Sequence, residues 1–183
     1  MQIRSRFGLD VVPGIRLWFL HNNLMLNENK SQVLVIGNNS QLSQWTGGNS
    51  VTFTGTTLGI PPHLKSLGVL LERTLSFHSH ISKLSGSCYA HIRALKHIRP
   101  YLAQHTANTL ACSIVFSRLD YCNYLFYGIS SRNLSKLQRI QNSLSRVVTR
   151  SSACTPSAPL LKSLHWLPVP YRVRFKIACI SFN

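Results

Sequence analysis

Acidic residues are the scarcest feature of this 183-residue sequence. Only four carboxylate side chains, Asp10, Glu28, Glu72 and Asp120, accompany 20 lysines and arginines, which gives a formal net charge of +16. No two of the four are neighbours in the sequence, so no local carboxylate pair exists for metal binding or acid–base chemistry. A chain with so one-sided a charge repels itself in a compact fold, unless a polyanion is its usual partner.

The charge imbalance is concentrated in the second part of the chain. Residues 1–75 contain six basic and three acidic side chains, whereas residues 76–183 contain fourteen basic side chains and Asp120 alone. Nucleic acid is therefore the first partner that the composition indicates, and an anionic membrane surface is the second. No pattern in the sequence points to a small-molecule substrate.

The sequence also lacks a long apolar run and a secretory signal. The longest apolar stretch, around Leu119–Ile129, contains Asp120 and Asn123 and is far too short to span a bilayer. Near the N-terminus, Asp10 and Pro13 interrupt any apolar signal region. Five cysteines, an odd number, favour reduced thiols over disulfides. We therefore expect an intracellular protein, cytoplasmic or nuclear, that is neither secreted nor inserted in a membrane.

Residues 1–75 combine turn signals with short β-like runs. A short helix is predicted over Ile15–Leu26, before an Asn-rich turn. Strands are predicted at Gln32–Ile36, Val51–Thr57 and Lys65–Leu71, and the Gly/Ser/Asn-rich stretch Gly37–Ser50 predicts loops. This part of the chain is small and sheet-like, and it is too small to form a domain by itself.

The second part of the chain has a helical period. Apolar residues recur at steps of three and four from Phe77 to Leu102, which predicts an amphipathic helix. Further helices are predicted from about Gln104 to Tyr124, from about Ser131 to Arg150 and from Tyr171 onwards, with Ser151–Pro159 as a linker. The pattern indicates a helical bundle with a basic outer face.

The basic residues of the third predicted helix also follow helical spacing. Placed at about 100° per residue, they cluster in one direction, and the apolar set is centred roughly 120° away. Arginine suits bidentate contact with phosphate oxygens, so we interpret the stripe as a phosphate-binding surface; a solvated helix face is the alternative. Three cations of the first predicted helix extend this surface. The candidate nucleic-acid-binding residues are Arg132, Lys136, Arg139, Arg146, Arg150, Arg93, Lys96 and Arg99.

Two single features have competing interpretations. His78, His80, Cys88 and His91 suggest zinc, but structural zinc takes four ligands in tight pairs, and here a second pair is missing. Packing, or a polar helix entry, explains these residues better, and no metal site is predicted. For Trp166, apolar neighbours favour a hydrophobic anchor that holds the last segment to the bundle over a platform for base stacking.

Several ordered motifs carry a family resemblance. They are Leu67-Gly68-Val69, Ile98-Arg99-Pro100-Tyr101-Leu102, Leu119-Asp120-Tyr121-Cys122-Asn123, Leu137-Gln138-Arg139-Ile140-Gln141-Asn142 and Leu164-His165-Trp166-Leu167-Pro168-Val169. Shorter matches are Trp18, Asn23-Leu24, Leu75-Ser76-Phe77, His80-Ile81, Gly128, Arg172 and Phe175-Lys176-Ile177. In this order, over roughly residues 15–180, they resemble the segment that follows the catalytic palm of non-LTR (LINE-type) retrotransposon reverse transcriptases, especially of jockey-like and related clades.

The resemblance implies a layout of two parts. Residues 1–75 would be the truncated C-terminal edge of the palm, with a helix-turn and strands, and residues 76–183 a basic thumb-like region truncated at its C-terminus. The expected fold class is α+β, mostly α, with a small antiparallel palm-edge sheet followed by a helical thumb-like bundle. In such polymerases the thumb holds the template–primer duplex through its phosphate backbone, so an RNA–DNA hybrid is the implied partner.

The chain departs from the family pattern at the catalytic centre. These polymerases hold two metal ions with an early palm aspartate and with an adjacent Asp-Asp pair after an aromatic-x step. No aromatic-x-Asp-Asp occurs in this sequence, and none of its four carboxylates matches a family ligand. We therefore assign no catalytic residue and no cofactor, expect Mg²⁺ only for the intact polymerase, and expect no polymerase activity from this chain alone.

Several functional hypotheses follow from the sequence. The first is an incomplete reverse transcriptase that retains nucleic-acid binding without sequence preference. The alternatives are a translated remnant without function, a helical protein-interaction module, and a binder of membrane surfaces. Because each neutralised phosphate releases counterions, salt-sensitive binding to nucleic acid separates the first hypothesis from the others.

Overall fold

The chain folds into two compact units, which are described separately. A computed structural model describes residues 12–25, 27, 30–53 and 56–182. The first unit comprises Met1–Ser66 and Leu71–Leu75, and the second comprises Leu67–Leu70 and Ser76–Asn183. Helices make up 59% of the structure, and the strands form two small antiparallel two-stranded sheets, so the predicted class, α+β and mostly α, is confirmed.

The first unit contains two short helices. Helix α1 spans Val12–His21 and α2 spans Asn39–Ser43. Helix α2 begins with a capping box, in which the side chains of Asn38 and Gln41 each accept the other residue's backbone N–H. Ile60 is the only buried apolar side chain among the described residues of this unit, so the unit has little core of its own.

Four short strands form two hairpin-like pairs. Strands β1 (Ser50–Phe53) and β2 (Thr56–Gly59) are antiparallel, and β3 (His63–Ser66) pairs with β4 (Val69–Glu72). The turn between β3 and β4 is Leu67-Gly68, where both residues have a positive φ, 45° and 83°. Two successive residues with positive φ are typical of the tightest hairpin turns.

Several sequence predictions for residues 1–75 are wrong. The strand predicted over Gln32–Ile36 does not form; residues 31–38 are irregular, because an apolar run becomes a strand only where a neighbouring backbone completes the ladder. The single strands predicted at Val51–Thr57 and Lys65–Leu71 are each two shorter strands. The helix predicted over Ile15–Leu26 ends at His21, and the start of that prediction is also three residues late.

The second unit, called the helical unit below, is built around α6 (Ser131–Thr149). This helix packs against α3 (His78–Ile98), α4 (Gln104–Ala111), α7 (Ser157–Ser163) and α8 (Val169–Ser181). The helix predicted from Ser131 to Arg150 is confirmed almost to the residue, and Ser130 caps it by accepting the N–H of Asn133.

A regular apolar face explains the central position of α6. Leu137, Ile140, Leu144 and Val148 are at most 1% exposed and recur at steps of three and four. Full burial of one such side chain stabilises the fold by about 1.5–3 kcal/mol. Helix α3 buries residues at similar intervals, namely Ile81, Cys88, Ile92 and Leu95. The core of the helical unit therefore lies along the inner face of α6.

The second predicted helix, from Gln104 to Tyr124, is interrupted. It consists of α4, a π-helical turn over Cys112–Phe116, α5 over Ser117–Leu119, and a 3₁₀ turn over Asn123–Phe126. The hydroxyls of Thr109 and Ser113 donate to carbonyls one turn earlier, a bonding pattern that bends helices. Cys122 then has a left-handed backbone with φ 51°, which ends the helical path.

The C-terminal part of the chain contains one helix that was not predicted, α7, and one that begins earlier than predicted, α8. Helix α7 begins at Ser157, inside the predicted linker Ser151–Pro159. Helix α8 begins at Val169 rather than at Tyr171, because Pro170 fits the first turn, where a missing backbone N–H leaves no helical hydrogen bond unmade. Both changes add helix to the C-terminal part of the bundle.

Candidate nucleic-acid interface

The outer face of α6 carries three cations that form no hydrogen bond or ion pair with a described residue. Arg132 and Arg139 are exposed and Lys136 is half-buried. None of the three forms a hydrogen bond or an ion pair with any residue in the described part of the chain. At about 100° per residue they cluster roughly 120° around the helix from the centre of the buried apolar face, so Arg132 and Arg139 are exposed while Lys136 lies at the edge of that face.

These three cations are spaced so that they repel one another. Arg132 and Lys136 are four residues apart and Lys136 and Arg139 are three apart, so both pairs are neighbours on the helix surface. Each like-charge pair costs about 0.2–0.5 kcal/mol of helix stability. Arg132 also lies in the first turn, which contains no acidic residue and where the helix dipole disfavours positive charge. The stripe therefore lowers the stability of α6 unless an anion binds to it.

The cations on α3 and directly after its C-terminal end fall into two kinds. Arg93 and Lys96 are exposed, and no bond from either to a described residue is recorded. Arg99, by contrast, is only 5% exposed, and its Nε and Nη2 donate to the carbonyl of Val148 at 2.9 and 2.7 Å. Its Nη1 donates to the carbonyl of Leu102 at 2.6 Å. Arg99 thus ties the end of α3 to the end of α6.

Burial also affects the pKa of Arg99. Loss of solvent lowers the pKa of its guanidinium, and the positive charge of Arg150 lowers the pKa further. A guanidinium nevertheless stays protonated in proteins. The repulsion shows that the cations at this end of the bundle lie close together.

Arg146 and Arg150 resemble Arg99 in their partners. Arg146 donates from Nε to the carbonyl of Thr155 at 3.0 Å, and Arg150 donates from Nη2 to the carbonyl of Pro100 at 2.6 Å. The eight predicted residues thus divide in two. Arg99, Arg146 and Arg150 are called the carbonyl-bound arginines below, and Arg93, Lys96, Arg132, Lys136 and Arg139 are called the open cations.

One groove brings four of the predicted residues together. It has a volume of about 400 Å³ and lies at the C-terminal ends of α3 and α6. Lys96, Arg99, Arg146 and Arg150 line it. The other four predicted residues do not line this groove; Arg132, Lys136 and Arg139 lie on the N-terminal half of α6.

The only acidic residue of the helical unit is already paired. Asp120 accepts two hydrogen bonds from Arg172, one of them from Nε to Oδ1 at 2.8 Å and the other from Nη2 to Oδ2. The guanidinium of Arg172 also lies over the ring of Phe116, 4.4 Å from its centroid. Asp120 is therefore already paired with a residue of α8, and the helical unit has no other acidic side chain that could neutralise the open cations.

Trp166 fills an interior position of the helical unit. It is 6% exposed, its ring meets that of Phe116 edge-on at a centroid distance of 4.5 Å, and its Nε1 donates to Oδ1 of Asn108 at 3.0 Å. The predicted role as a hydrophobic anchor is confirmed. A ring so enclosed is not available as a stacking surface for bases.

Two glutamines hold the segment before α8, and the sequence analysis missed them. Gln141 is fully buried, and its Nε2 donates to the carbonyl of Leu167 at 2.9 Å. Gln138 accepts the N–H of Val169 at 2.9 Å. A signal was present: Gln141 follows Leu137 by four residues, so it lies on the apolar face of α6, where a polar side chain needs an internal partner.

His80 and Cys88 of α3 have packing roles. Within the described residues, no group of three or more His, Cys, Asp or Glu side chains is placed to hold a metal ion. Nδ1 of His80 accepts the backbone N–H of Leu70 at 3.3 Å. Cys88 is fully buried, which raises the pKa of its thiol to about 11, although the charge of Arg118 acts in the opposite direction.

No protein-family model, no curated protein sequence and no solved structure matches the chain. In the part of the chain that the structure describes, none of the helices has the length and apolar character required to cross a membrane.

Proposed function

We propose that the chain is part of a non-LTR retrotransposon reverse transcriptase and that its helical unit binds the phosphate backbone of an RNA–DNA hybrid, or of a similar duplex, without sequence preference. The observation that supports this most is the stripe on α6. Arg132, Lys136 and Arg139 repel one another, lie on the outer face and have no partner among the described residues. A surface that lowers the stability of its own helix is best explained by an anion that it binds.

The dimensions of α6 suit this role. From Arg132 to Arg150 the helix extends about 27 Å at 1.5 Å per residue. Each strand of a duplex places one phosphate in about every 3.4 Å of helix axis, so several phosphates come within reach of one helix face. Lysine and arginine contacts to phosphates position a duplex but do not read its sequence, which is why no sequence preference is proposed.

The proposal assigns binding and not polymerisation to this chain. Two-metal phosphoryl transfer needs several converging carboxylates. Of the four in the sequence, Asp120 is paired with Arg172, and no two are adjacent along the chain. The chemistry of nucleotide addition would therefore require residues from other parts of the polymerase.

A second candidate function, a protein-interaction module, is favoured by three exposed apolar side chains of α8. Tyr171, Phe175 and Ile180 are 55%, 65% and 54% exposed, which is unusual for large apolar side chains on one helix. Such a module would have no reason to bind nucleic acid in a salt-dependent way. The experiment below therefore separates the two candidates.

Binding of a labelled RNA–DNA hybrid, measured by fluorescence anisotropy over a series of salt concentrations, tests the proposal. If six or more phosphates are neutralised, affinity should fall by about three orders of magnitude between 50 and 200 mM salt. The triple variant Arg132→Gln/Lys136→Gln/Arg139→Gln should make the slope of log K against log salt less steep by about 2.7, since each lost contact removes about 0.9.

The control removes the same charge from elsewhere in the helical unit. Lys83, Lys162 and Lys176 are exposed and lie on α3, α7 and α8. The variant Lys83→Gln/Lys162→Gln/Lys176→Gln should leave the slope nearly unchanged. Flat salt dependence in the unsubstituted protein, or equal slopes in the two triple variants, would contradict the proposal. Tighter binding to anionic lipid vesicles than to the hybrid would favour a membrane-surface role instead.

A further inference from the structure

The groove at the C-terminal ends of α3 and α6 has more positive charge than its structural role explains. Lys96, Arg99, Arg146 and Arg150 line its volume of about 400 Å³, and none of the residues that line it is acidic. A volume of this size is within the range of small-ligand sites in proteins. The four cations lie on α3 and α6 or directly after their last residues, and they converge only because the helix ends meet.

Helix capping accounts for part of this charge. The last carbonyls of a helix have no intrahelical partner, and the C-terminal end carries roughly half a negative charge. Two such ends therefore call for about one compensating positive charge. Four cations leave an excess of about three, and Asp120, the one acidic residue in the sequence of the helical unit, is already paired with Arg172.

The carbonyl bonds also fix the arginine side chains before any ligand arrives. Three of the five N–H groups of Arg99 donate hydrogen bonds to the carbonyls of Val148 and Leu102. Arg146 is held by the bond from its Nε to the carbonyl of Thr155, and Arg150 by the bond from its Nη2 to the carbonyl of Pro100. Side chains that are already ordered lose little entropy when they bind, so such a site is preorganised.

The lining residues indicate the chemistry of the ligand. Besides the four cations, the groove is lined by two serines and three apolar residues, which are Ser143, Ser151, Pro100, Val147 and Ala153. Neither an aromatic ring nor a carboxylate is among the described lining residues. The groove therefore offers donors for phosphate oxygens and no surface on which a base would stack. We propose that it binds backbone phosphates of one nucleic-acid strand and so holds that strand at the C-terminal end of α6. This inference rests on the proposed function of the helical unit.

Lys96 is the residue on which to test the inference. It is exposed and has no recorded bond to a described residue, so Lys96→Gln should fold normally. Lys83→Gln is the matched control, because Lys83 is exposed on the same helix and lies about 20 Å away along it. The probes are pyrophosphate, followed by backbone amide NMR shifts at constant ionic strength, and the RNA–DNA hybrid, followed by anisotropy.

We expect pyrophosphate to shift the amides of Lys96 and Ser151 and to compete with the hybrid. Lys96→Gln should weaken pyrophosphate binding by about tenfold at low salt, as expected for one lost charge-assisted contact. It should also make the salt slope of hybrid binding less steep by about 0.9. Lys83→Gln should do neither.

The outcomes separate this inference from the proposed function. If the hybrid binds but pyrophosphate neither shifts these amides nor competes, or if the two variants behave alike, the groove inference is wrong and the proposed function stands. If neither the hybrid nor pyrophosphate binds, both are wrong. If pyrophosphate binds and the hybrid does not, strand binding is overturned and the groove is a site for free polyphosphate.

Discussion

The carbonyl-bound arginines and the open cations share two helices but have opposite surroundings. Directly after the last residue of α3, Arg99 is buried with three hydrogen bonds, whereas Arg93, six residues earlier on that helix, is exposed and bonds to no described residue. On α6, Arg150 donates to the carbonyl of Pro100, while Arg132, at the other end, has no such acceptor. The four side chains are chemically identical, so their positions must explain the difference.

On α6, position along the helix, and not direction around it, separates the two groups. C-terminal helix ends present carbonyls without intrahelical partners and favour cations through the helix dipole. N-terminal ends present N–H groups and disfavour cations. The carbonyl-bound arginines therefore stabilise the fold, whereas Arg132 and Lys136 destabilise it slightly and are the ones left for an external anion.

The largest expected effect is the loss of Arg99. The substitution Arg99→Met would leave the buried carbonyls of Val148 and Leu102 without their donor. Hydrogen bonds to charged groups contribute about 1.5–3 kcal/mol and unsatisfied buried acceptors cost a further amount, so we expect a loss of about 3 kcal/mol. Urea unfolding, followed by circular dichroism, measures this change in the free energy of unfolding.

Arg93→Met is the matched control for Arg99→Met, because it makes the same chemical change on the same helix. We expect the free energy of unfolding to change by less than about 0.5 kcal/mol, as is usual for an exposed position. Under the proposed function it should instead weaken binding of the hybrid. Comparable destabilisation by the two substitutions would remove the distinction between carbonyl-bound arginines and open cations.

Arg172 extends the comparison to an arginine bound by a carboxylate. A double-mutant cycle with Asp120→Asn and Arg172→Gln should give a coupling energy of about 1–2 kcal/mol, above the range of fully exposed ion pairs. The reason is the bidentate geometry together with partial burial, since the side chains of Arg172 and Asp120 are 22% and 36% exposed. A coupling energy near zero would place this pair with ordinary surface ion pairs.

Much of the helical unit could be predicted from the sequence, because its helices bury regular apolar faces. The period of Leu137, Ile140, Leu144 and Val148 was sufficient to predict α6. The run Gln32–Ile36 is apolar too, but a strand depends on a partner elsewhere in the chain, and no local pattern reports that partner.

The candidate site could be predicted only in part. Spacing around the helix correctly grouped Arg132, Lys136 and Arg139 on the outer face of α6. The same spacing included Arg146 and Arg150, because it contains no information about the carbonyls that meet where α3 and α6 end. Contacts between elements distant in sequence decide which cation is hydrogen-bonded to a carbonyl, and these contacts appear only in the folded chain.

Arg150 provides a smaller and more specific test of the carbonyl-bound arginines. It ends α6 with φ 56°, a left-handed conformation that costs about 1–2 kcal/mol for a residue with a Cβ and nothing for glycine. Both Arg150→Ala and Arg150→Gly lose the bond to Pro100, but only glycine relieves the backbone. We expect Arg150→Ala to be less stable than Arg150→Gly by about 1 kcal/mol in urea unfolding. Equal stabilities would mean that the backbone relaxes once the guanidinium is removed.

His80 gives the smallest expected effect and extends the comparison to a side chain whose charge depends on pH. Burial lowers the pKa of its imidazole from 6.5, and Nδ1 accepts the N–H of Leu70 at 3.3 Å, which only the neutral ring can do. The unfolded chain therefore binds the proton more readily than the folded chain. Stability contributed by His80 is fully present above pH 6.5 and is lost as the pH falls through the lowered pKa of the folded state.

The matched variant for this pH dependence is His80→Asn, which keeps an oxygen acceptor near the position of Nδ1 and cannot titrate. Urea midpoints should fall between about pH 7.5 and about pH 5 in the unsubstituted protein, and should fall less in His80→Asn. Identical pH profiles would show that the Leu70 bond does not depend on a neutral imidazole. A steeper fall of the urea midpoint in the unsubstituted protein would show that a positive charge on His80 destabilises this part of the helical unit. The C-terminal ends of α3 and α6, by contrast, are stabilised by the positive charges of the carbonyl-bound arginines.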